Sequence, residues 1–159
     1  VITISGDHYP YGLTLDEVNE LSNYTKDENF EMHHMSFLVW NSEMKEPVKV
    51  DKYASSLDIL PTVLNLFGID YDSRLLMGTD IMSDSLPLVI YSNRSFITDK
   101  CRYNSLTKQM IPHGDKSCTD EEIKSLNNII YNKFKFSKLI LENDYYRKLY
   151  KSLGLEIKE

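Results

Sequence analysis

The opening residues constrain the fold of this chain more than any other segment. An apolar run over residues 1–4 stops before Gly6 and is followed at once by Asp7 and His8. Such a run predicts a buried β-strand, and open α/β sheets bind their ligands at the carboxyl ends of their strands. Adjacent strand residues point in opposite directions, so both side chains can reach one ion only where the chain has left strand geometry, which Gly6 permits. The sequence therefore predicts an α/β fold with an Asp-His pair at a strand end.

The bulk composition restricts the class of protein. With 159 residues, the chain fits one domain and can bury a core. Hydrophobic residues make up 42% and charged residues 26%, which is typical of a soluble globular protein, and no apolar run is long enough to span a bilayer. The net charge of -6 argues against nucleic acid as a partner and against electrostatic attraction to an anionic lipid surface.

Two features leave alternatives open. Cys101 and Cys118 either pair, which would fit an extracellular setting, or remain two inert thiols, which is the default for so few cysteines. The chain begins without Met and with the pattern of a core strand, which indicates a fragment of a larger protein. An exposed strand edge over residues 1–4 would favour self-association.

Capping patterns predict two short helices. One begins at Thr14, which has a Glu at the spacing of a capping box. The other covers residues 58–67, where Asp58 caps the amino end or lies in the first turn, Pro61 is tolerated in that turn and Gly68 ends the helix.

Strands and a terminal helical segment account for the remaining patterns. Residues 37–40 form an apolar run typical of a buried strand. Residues 86–92, 95–98 and 102–106 predict an antiparallel meander. From residue 119 to residue 154 the apolar positions follow a helical period, which predicts one long helix or two helices broken near Phe136 and Ser137.

Four segments, taken in order, resemble one protein family. They are S-G-D-H-Y-P-Y at 5–11, M-S-F-L-V-W-N at 35–41, S-L-D-I-L-P-T-V-L-N-L-F-G-I at 56–69, and M-G-T-D-I at 77–81. Together they resemble the carboxyl-terminal part of the sulfatase-like domain of lipoteichoic acid synthases and related phosphoglycerol transferases, within the alkaline phosphatase superfamily. The D-I-L-P-T stretch is the most specific piece.

The resemblance implies a particular fold and organisation. We expect the carboxyl-terminal part of an alkaline phosphatase-like domain: a partial sheet with helices, a small antiparallel subsheet and a terminal helical segment. Residues 1–115 would form the end of the sulfatase-like catalytic domain, and residues 116–159 would be a helical extension of the same domain.

For Asp7 and His8 the resemblance implies two ligands of a divalent metal that activates a hydroxyl nucleophile. A carboxylate with an imidazole suits Mn²⁺ or Zn²⁺. Because the family is associated with Mn²⁺ or Mg²⁺, Mn²⁺ is the first choice and Mg²⁺ and Zn²⁺ are alternatives. The family's Thr nucleophile and a further acidic ligand lie upstream of the Gly-Asp-His turn. We therefore expect no catalytic residue in this chain, no turnover by it, and weak metal binding or none.

The implied parent is a membrane-anchored enzyme whose catalytic domain lies outside the cell. It would transfer glycerol phosphate from a lipid-linked donor. One alternative is a sulfatase or a phosphodiesterase or phosphatase of the same superfamily, acting on another phosphate or sulfate ester. Another is a binding module without catalysis.

Three histidines have simpler explanations than a site. His33, with Glu31 two residues before it, could make a minor metal or substrate contact, but a loop before the strand explains it and His34 more simply. His113 lies in Ile-Pro-His-Gly-Asp, a composition typical of a surface turn.

The remaining candidates are aromatic or hydroxyl side chains. Tyr9, Tyr11 and Trp40 could line a polar substrate cleft, although such rings more often belong to a core or its rim. No Gly-x-Ser-x-Gly motif surrounds three serines that could otherwise be nucleophiles: Ser5, Ser55 and Ser56.

Overall fold

The computed structural model describes residues 1–155, and the chain divides into two compact units, Val1–Lys49 and Val50–Glu159. The predicted α/β class is confirmed, because each unit combines strands with helices. Residues 1–155 contain no helix that is long and apolar enough to cross a membrane. The predicted subdivision into residues 1–115 and 116–159 stays a prediction.

The first unit contains a two-stranded antiparallel sheet. It joins β1 (Ile2–Ser5) to β2 (Phe37–Trp40). The prediction of a buried strand is wrong for β1, whose residues are all exposed, and β2 alternates between half-buried and exposed positions. Ile2 lies opposite Trp40, and their side chains are 53% and 54% exposed. A two-stranded sheet buries a face only against another layer, and within residues 1–49 this apolar face meets none.

Helix α1 (Leu15–Glu20) begins where the capping pattern predicts. The Thr14 hydroxyl accepts a hydrogen bond from the Glu17 amide, and the Glu17 carboxylate accepts one from the Thr14 amide at 2.7 Å. These bonds satisfy amides that have no partner within the helix, and the hydrogen bonds from Thr14 lower the pKa of Glu17. Val18 points inward and, with Phe30, is one of the two buried apolar residues of this unit.

Helix α2 (Ile59–Leu66) follows a 3₁₀ turn (Ser56–Asp58) and confirms the helix predicted over residues 58–67. Pro61 lies in the first turn, where a missing N–H leaves no helical hydrogen bond unmade. Gly68 ends the helix with φ of 62°, a left-handed conformation that glycine adopts without strain.

The predicted antiparallel meander is confirmed and has a fourth strand. In spatial order its strands are β3 (Val89–Ile90), β4 (Phe96–Ile97), β5 (Cys101–Asn104) and β6 (Gln109–Pro112). The sequence does not predict β6, because the Pro and Gly of residues 111–115 are typical of a turn. Pro112 is tolerated because β6 is an edge strand, where a missing N–H costs no ladder bond.

Two helices end the described part of the chain. Helix α3 (Asp120–Glu142) begins at the predicted Thr119 cap, and α4 (Tyr145–Ser152) follows it. The predicted break near residues 136–137 is wrong, since α3 continues through them. The chain breaks instead at Asp144, whose φ of 47° is left-handed and cannot continue a right-handed helix.

The core of residues 50–155 lies between the β-meander and α3. Its buried members are Phe96, Cys101, Tyr103, Cys118, Leu126 and Ile130. A disulfide joins Cys101 to Cys118, so the expectation of two inert thiols is wrong and the paired alternative holds. The bond ties β5 to the residue before the α3 cap, and it restricts the unfolded chain over a separation of 17 residues.

Candidate metal centre

Gly6 lies between β1 and the Asp-His pair, and its role is steric. The φ angle of Gly6 lies outside the left-handed region, so this turn does not require the backbone conformation that only glycine adopts easily. A Cβ at this position would lie 2.1 Å from Met35 Sδ. The missing side chain therefore makes room for the Met35 thioether against the turn.

Beyond this turn, Asp7 and His8 face each other. The His8 Nε2 atom lies 3.5 Å from Asp7 Oδ2, and the His8 amide donates a hydrogen bond to Asp7 Oδ1 at 2.9 Å. Two adjacent residues on a strand could not converge in this way. The two side chains meet because the strand has already ended at Ser5.

The hydrogen bond to a backbone carbonyl orients the imidazole. His8 Nδ1 lies 2.7 Å from the Tyr9 carbonyl oxygen. A carbonyl oxygen only accepts hydrogen bonds, so Nδ1 carries the proton, and in the neutral ring Nε2 presents its lone pair to Asp7. Two groups rich in lone pairs at 3.5 Å repel each other unless a proton or a cation lies between them. Protein histidines that bind metals characteristically donate their other ring N–H to a carbonyl or carboxylate.

The distance between the two ligand atoms fits one bound ion. Two donors bound at about 2.1 Å with a tetrahedral angle are separated by about 3.4 Å, close to the 3.5 Å between Nε2 and Oδ2. Both side chains are accessible, with Asp7 87% and His8 47% exposed. Within residues 1–155, no group of three or more His, Cys, Asp or Glu side chains could hold a metal. Asp7 and His8 therefore fit a metal as a pair of ligands, and a complete site needs further donors.

Aromatic rings surround the pair on one side. Tyr11 stacks on the His8 ring with centroids 4.3 Å apart. Tyr9 contacts Tyr11 edge-on at 4.7 Å and His33 edge-on at 5.0 Å. Of the three rings predicted as possible cleft residues, the structure thus brings Tyr9 and Tyr11 together beside His8. Trp40 lies on β2 and is 54% exposed.

The other candidate histidines lie before β2 and directly after β6, where His113 forms a β-bridge with Lys116. His33 and His34 occupy the turn and irregular segment before β2, and His34 Nδ1 lies 3.4 Å from the Tyr24 hydroxyl. His113 follows β6 and stacks on Tyr53 with centroids 5.2 Å apart. Burial lowers the pKa of His113, and the nearby positive charge of Arg102 lowers it further.

Asp58, which the sequence predicts at the start of α2, is the residue before that helix, and its carboxylate forms a capping box with Ser55 at the preceding 3₁₀ turn. Its side chain makes no capping hydrogen bond to α2. Instead Oδ2 accepts from the Ser55 amide at 2.7 Å, and Oδ1 accepts from the Thr79 amide at 2.7 Å. Asp58 is 6% exposed, so it joins two loops inside the molecule and is not a free ligand.

Sequence reasoning gives no signal for Lys133, which lies near Asp58. Its ammonium group donates to the Met77 carbonyl and lines a groove of about 320 Å³ between residues 73–77 and α3. Burial lowers the pKa of Lys133, while the negative charge of Asp58 opposes that shift. The amphipathic pattern of α3 predicts only a helix face at this position, since the contact depends on a loop 56 residues away.

Known proteins with similar sequences match most of this chain. Lipoteichoic acid synthase 2 of Bacillus subtilis is 27% identical over 154 residues, which are 92% of this chain and 23% of that protein. The lipoteichoic acid synthases of Staphylococcus saprophyticus and Staphylococcus aureus are 33% and 31% identical over 108 residues, which are 65% of this chain and 16% of each relative. The predicted resemblance to lipoteichoic acid synthases is confirmed.

The similarity to lipoteichoic acid synthases concerns a limited part of each relative. The chain spans less than a quarter of the length of the curated relatives it matches, at 23% and 16%. No protein-family model matches it.

Proposed function

We propose that Asp7 and His8 supply two ligands to a divalent metal in a phosphoglycerol transferase similar to lipoteichoic acid synthases. Mn²⁺ is the first choice, with Mg²⁺ and Zn²⁺ as alternatives. The substrate would be a lipid-linked glycerol phosphate. The observation that carries the proposal is the 3.5 Å separation between His8 Nε2 and Asp7 Oδ2, with His8 Nδ1 2.7 Å from the Tyr9 carbonyl oxygen.

The residues of this chain would fix the geometry and charge of the site. The Tyr9 carbonyl holds the imidazole in one tautomer, and Asp7 contributes a negative charge that favours a cation. Tyr11 stacks on the imidazole and restricts its rotation. A bound divalent ion would lower the pKa of a hydroxyl nucleophile and neutralise charge on the transferred phosphoryl group.

We further propose that the chain by itself does not turn over substrate. Two protein ligands are fewer than the three or four usual in such sites, and the resemblance implies that the nucleophilic Thr and an acidic ligand belong upstream of the Gly-Asp-His turn. Metal binding by the chain alone would then be weak.

The proposed location is the outer face of the cell membrane, with the parent anchored there. The disulfide between Cys101 and Cys118 supports an oxidising compartment, because such bonds rarely persist in the cytosol. The similarity to proteins named lipoteichoic acid synthase favours a transferase over a sulfatase.

A paramagnetic titration of the 159-residue chain tests the metal pair. Mn²⁺ broadens the NMR signals of nuclei near its binding site, and we expect the His8 ring signals to broaden before those of the other three histidines. Asp7→Asn should weaken this preference. Asp16→Asn removes an exposed carboxylate from α1 and serves as the matched control. This control should leave the preferential broadening of the His8 signals unchanged. Equal broadening of all four histidines would contradict the proposed pair.

An activity assay tests the proposed reaction separately. The chain alone should release no diacylglycerol, the leaving group of glycerol phosphate transfer, from phosphatidylglycerol vesicles with or without Mn²⁺. The parent enzyme should do so, and Asp7→Asn or His8→Gln in it should abolish turnover. Full activity of either variant would overturn the catalytic proposal even if the chain binds Mn²⁺.

A further inference from the structure

Basic residues are concentrated in the terminal helices. Residues 124–151 contain seven lysine and arginine residues and two acidic residues. The rest of the chain contains eleven basic and twenty-two acidic residues. The net charge of -6 is therefore the sum of +5 over residues 124–151 and -11 over the rest of the chain, which includes the three acidic residues of the first turn of α3.

One face of α3 carries a basic stripe, which consists of Lys124, Tyr131, Lys135 and Lys138, and at its end Lys138 pairs with the Glu142 carboxylate at 3.5 Å. Spacings of seven, four and three residues place these side chains on one face of a helix. All four residues are exposed. The Arg94 guanidinium lies 5.7 Å from the centre of the Tyr131 ring and adds a further positive charge beside the stripe.

Helix α4 is amphipathic, with aromatic and basic sides. Its helical period gathers Tyr145, Tyr146, Leu149 and Tyr150 on one side and Arg147, Lys148 and Lys151 on the other. The three tyrosines are 37%, 45% and 42% exposed. Three leucines close to α4 in sequence are more than half exposed: Leu141, Leu153 and Leu155.

We propose that α4 and the flanking leucines bind the surface of an anionic lipid bilayer, with the basic stripe adding electrostatic attraction. Tyrosine rings are favoured at the boundary between headgroups and acyl chains, and leucines beside them supply apolar area. Lysine and arginine side chains at the edges of an interfacial helix reach the headgroups. The concentration of positive charge on an otherwise acidic chain favours an anionic surface over a neutral one.

This surface is independent of the proposed metal pair. It involves residues of α3 and α4, whereas Asp7 and His8 follow β1. A bilayer is favoured over a protein partner because three tyrosines, three leucines and the adjacent lysines combine the chemistry of an interfacial helix within residues 141–155. Two copies of this surface placed face to face would present the same positive charge and would repel each other.

Vesicle co-sedimentation tests the proposal with the 159-residue chain. We expect binding to vesicles of equal parts phosphatidylglycerol and phosphatidylcholine, little binding to phosphatidylcholine alone, and weaker binding at high salt. Lys135→Glu with Lys148→Glu should lower the partition onto the anionic vesicles by about 30-fold or more at low salt. Lys45→Glu with Lys108→Glu changes the net charge equally at other exposed positions, and this control should bind nearly as well as the unmodified chain.

A second variant tests the apolar contribution. Tyr146→Ser with Tyr150→Ser should reduce the binding that survives at high salt, and circular dichroism would check that α3 and α4 remain folded. The proposal would be overturned if the two charge variants lost equal amounts of binding to anionic vesicles, or if the chain bound neutral and anionic vesicles equally. It would also be overturned if the chain bound no vesicles but self-associated with rising concentration, and the tyrosine variant abolished that self-association.

Discussion

Asp7 and Asp58 lie in two of the segments that resemble lipoteichoic acid synthases, and their carboxylate oxygens have opposite roles. Asp58 is buried, and both of its oxygens accept backbone amides, from Ser55 and Thr79. Asp7 is exposed, accepts the His8 amide on one oxygen and directs the other at the imidazole. A carboxylate whose acceptor positions are filled by the protein holds the fold together, whereas one left open on the surface is available to a ligand.

The two units that contain these aspartates also differ in how much of their apolar surface is buried. Residues 50–155 contain a disulfide and a shared core between the β-meander and α3. Residues 1–49 bury the apolar side chains of Val18 and Phe30 and leave one face of their two-stranded sheet exposed. Stability is therefore expected to reside in the second unit, and the candidate site lies in the first.

The largest expected effect separates the two aspartates. Asp58→Ala leaves buried amide donors without partners and should lower the free energy of unfolding of residues 50–155 by about 4 kcal/mol. Asp7→Ala should change it by less than about 0.5 kcal/mol. Urea unfolding followed by far-ultraviolet circular dichroism measures both. Should Asp58→Ala fail to fold, Asp58→Asn keeps one acceptor and should give an intermediate loss; equal effects of the variants at 7 and 58 would contradict the comparison.

Removal of the disulfide should have the next largest effect. Cys101→Ala with Cys118→Ala frees a loop of 17 residues in the unfolded chain and should cost about 3 kcal/mol of unfolding free energy. The same denaturation experiment measures the loss. Adding a reducing agent should destabilise the unmodified chain similarly and leave the double variant unaffected. A midpoint that does not move on reduction would show that the bond contributes nothing to stability.

Two glycines give a matched pair with a smaller effect. A Cβ at Gly78 would lie 2.0 Å from the Leu57 carbonyl oxygen and 2.7 Å from the Asp58 amide nitrogen. Gly78→Ala should therefore cost about 2 kcal/mol, because backbone atoms cannot yield as a flexible side chain can. A Cβ at Gly12 meets nothing within 4 Å, so Gly12→Ala should be close to neutral. Thermal unfolding compares the two, and similar melting temperatures would contradict the packing around Asp58.

The smallest effect concerns an exposed ion pair. Hydrogen bonds from Arg74 lower the pKa of Asp72 to about 2. Because the folded pKa is depressed, the pair stabilises the fold above the ordinary carboxyl pKa, and this contribution is lost as the pH falls from about 4 to about 2. NMR titration of the Asp72 carboxyl should give a midpoint near 2, and Arg74→Gln should raise it toward about 3.9. An unchanged midpoint in the variant would remove Arg74 as the cause.

Local signals predict much of the fold because they depend on neighbouring residues. The caps at Thr14 and Thr119 and the glycine that ends α2 are each determined within one helical turn. The sequence does not predict edge strand β6, because that strand depends on its pairing with β5. It also does not predict where the chain breaks after α3, because the break depends on the left-handed backbone of Asp144.

The candidate site is predictable only in part for a related reason. The residue types at 7 and 8 and the end of the strand indicate a pair of ligands. The hydrogen bond of His8 to the Tyr9 carbonyl and the packing of Met35 against Gly6 have no sequence signal. Local capping rules place Asp58 correctly at the amino end of α2, but they do not predict its hydrogen bond from the Thr79 amide, which lies 21 residues away.

The protonation of His8 tests the central claim most directly. A long-range ¹H–¹⁵N NMR spectrum at alkaline pH, where the imidazole is neutral, distinguishes the two tautomers. The account predicts a proton on Nδ1, bonded to the Tyr9 carbonyl, and an unprotonated Nε2 that shifts when Zn²⁺ is added as a diamagnetic ion. A proton on Nε2, with no response to the ion, would show that His8 donates to Asp7 and would contradict the proposed pair of metal ligands.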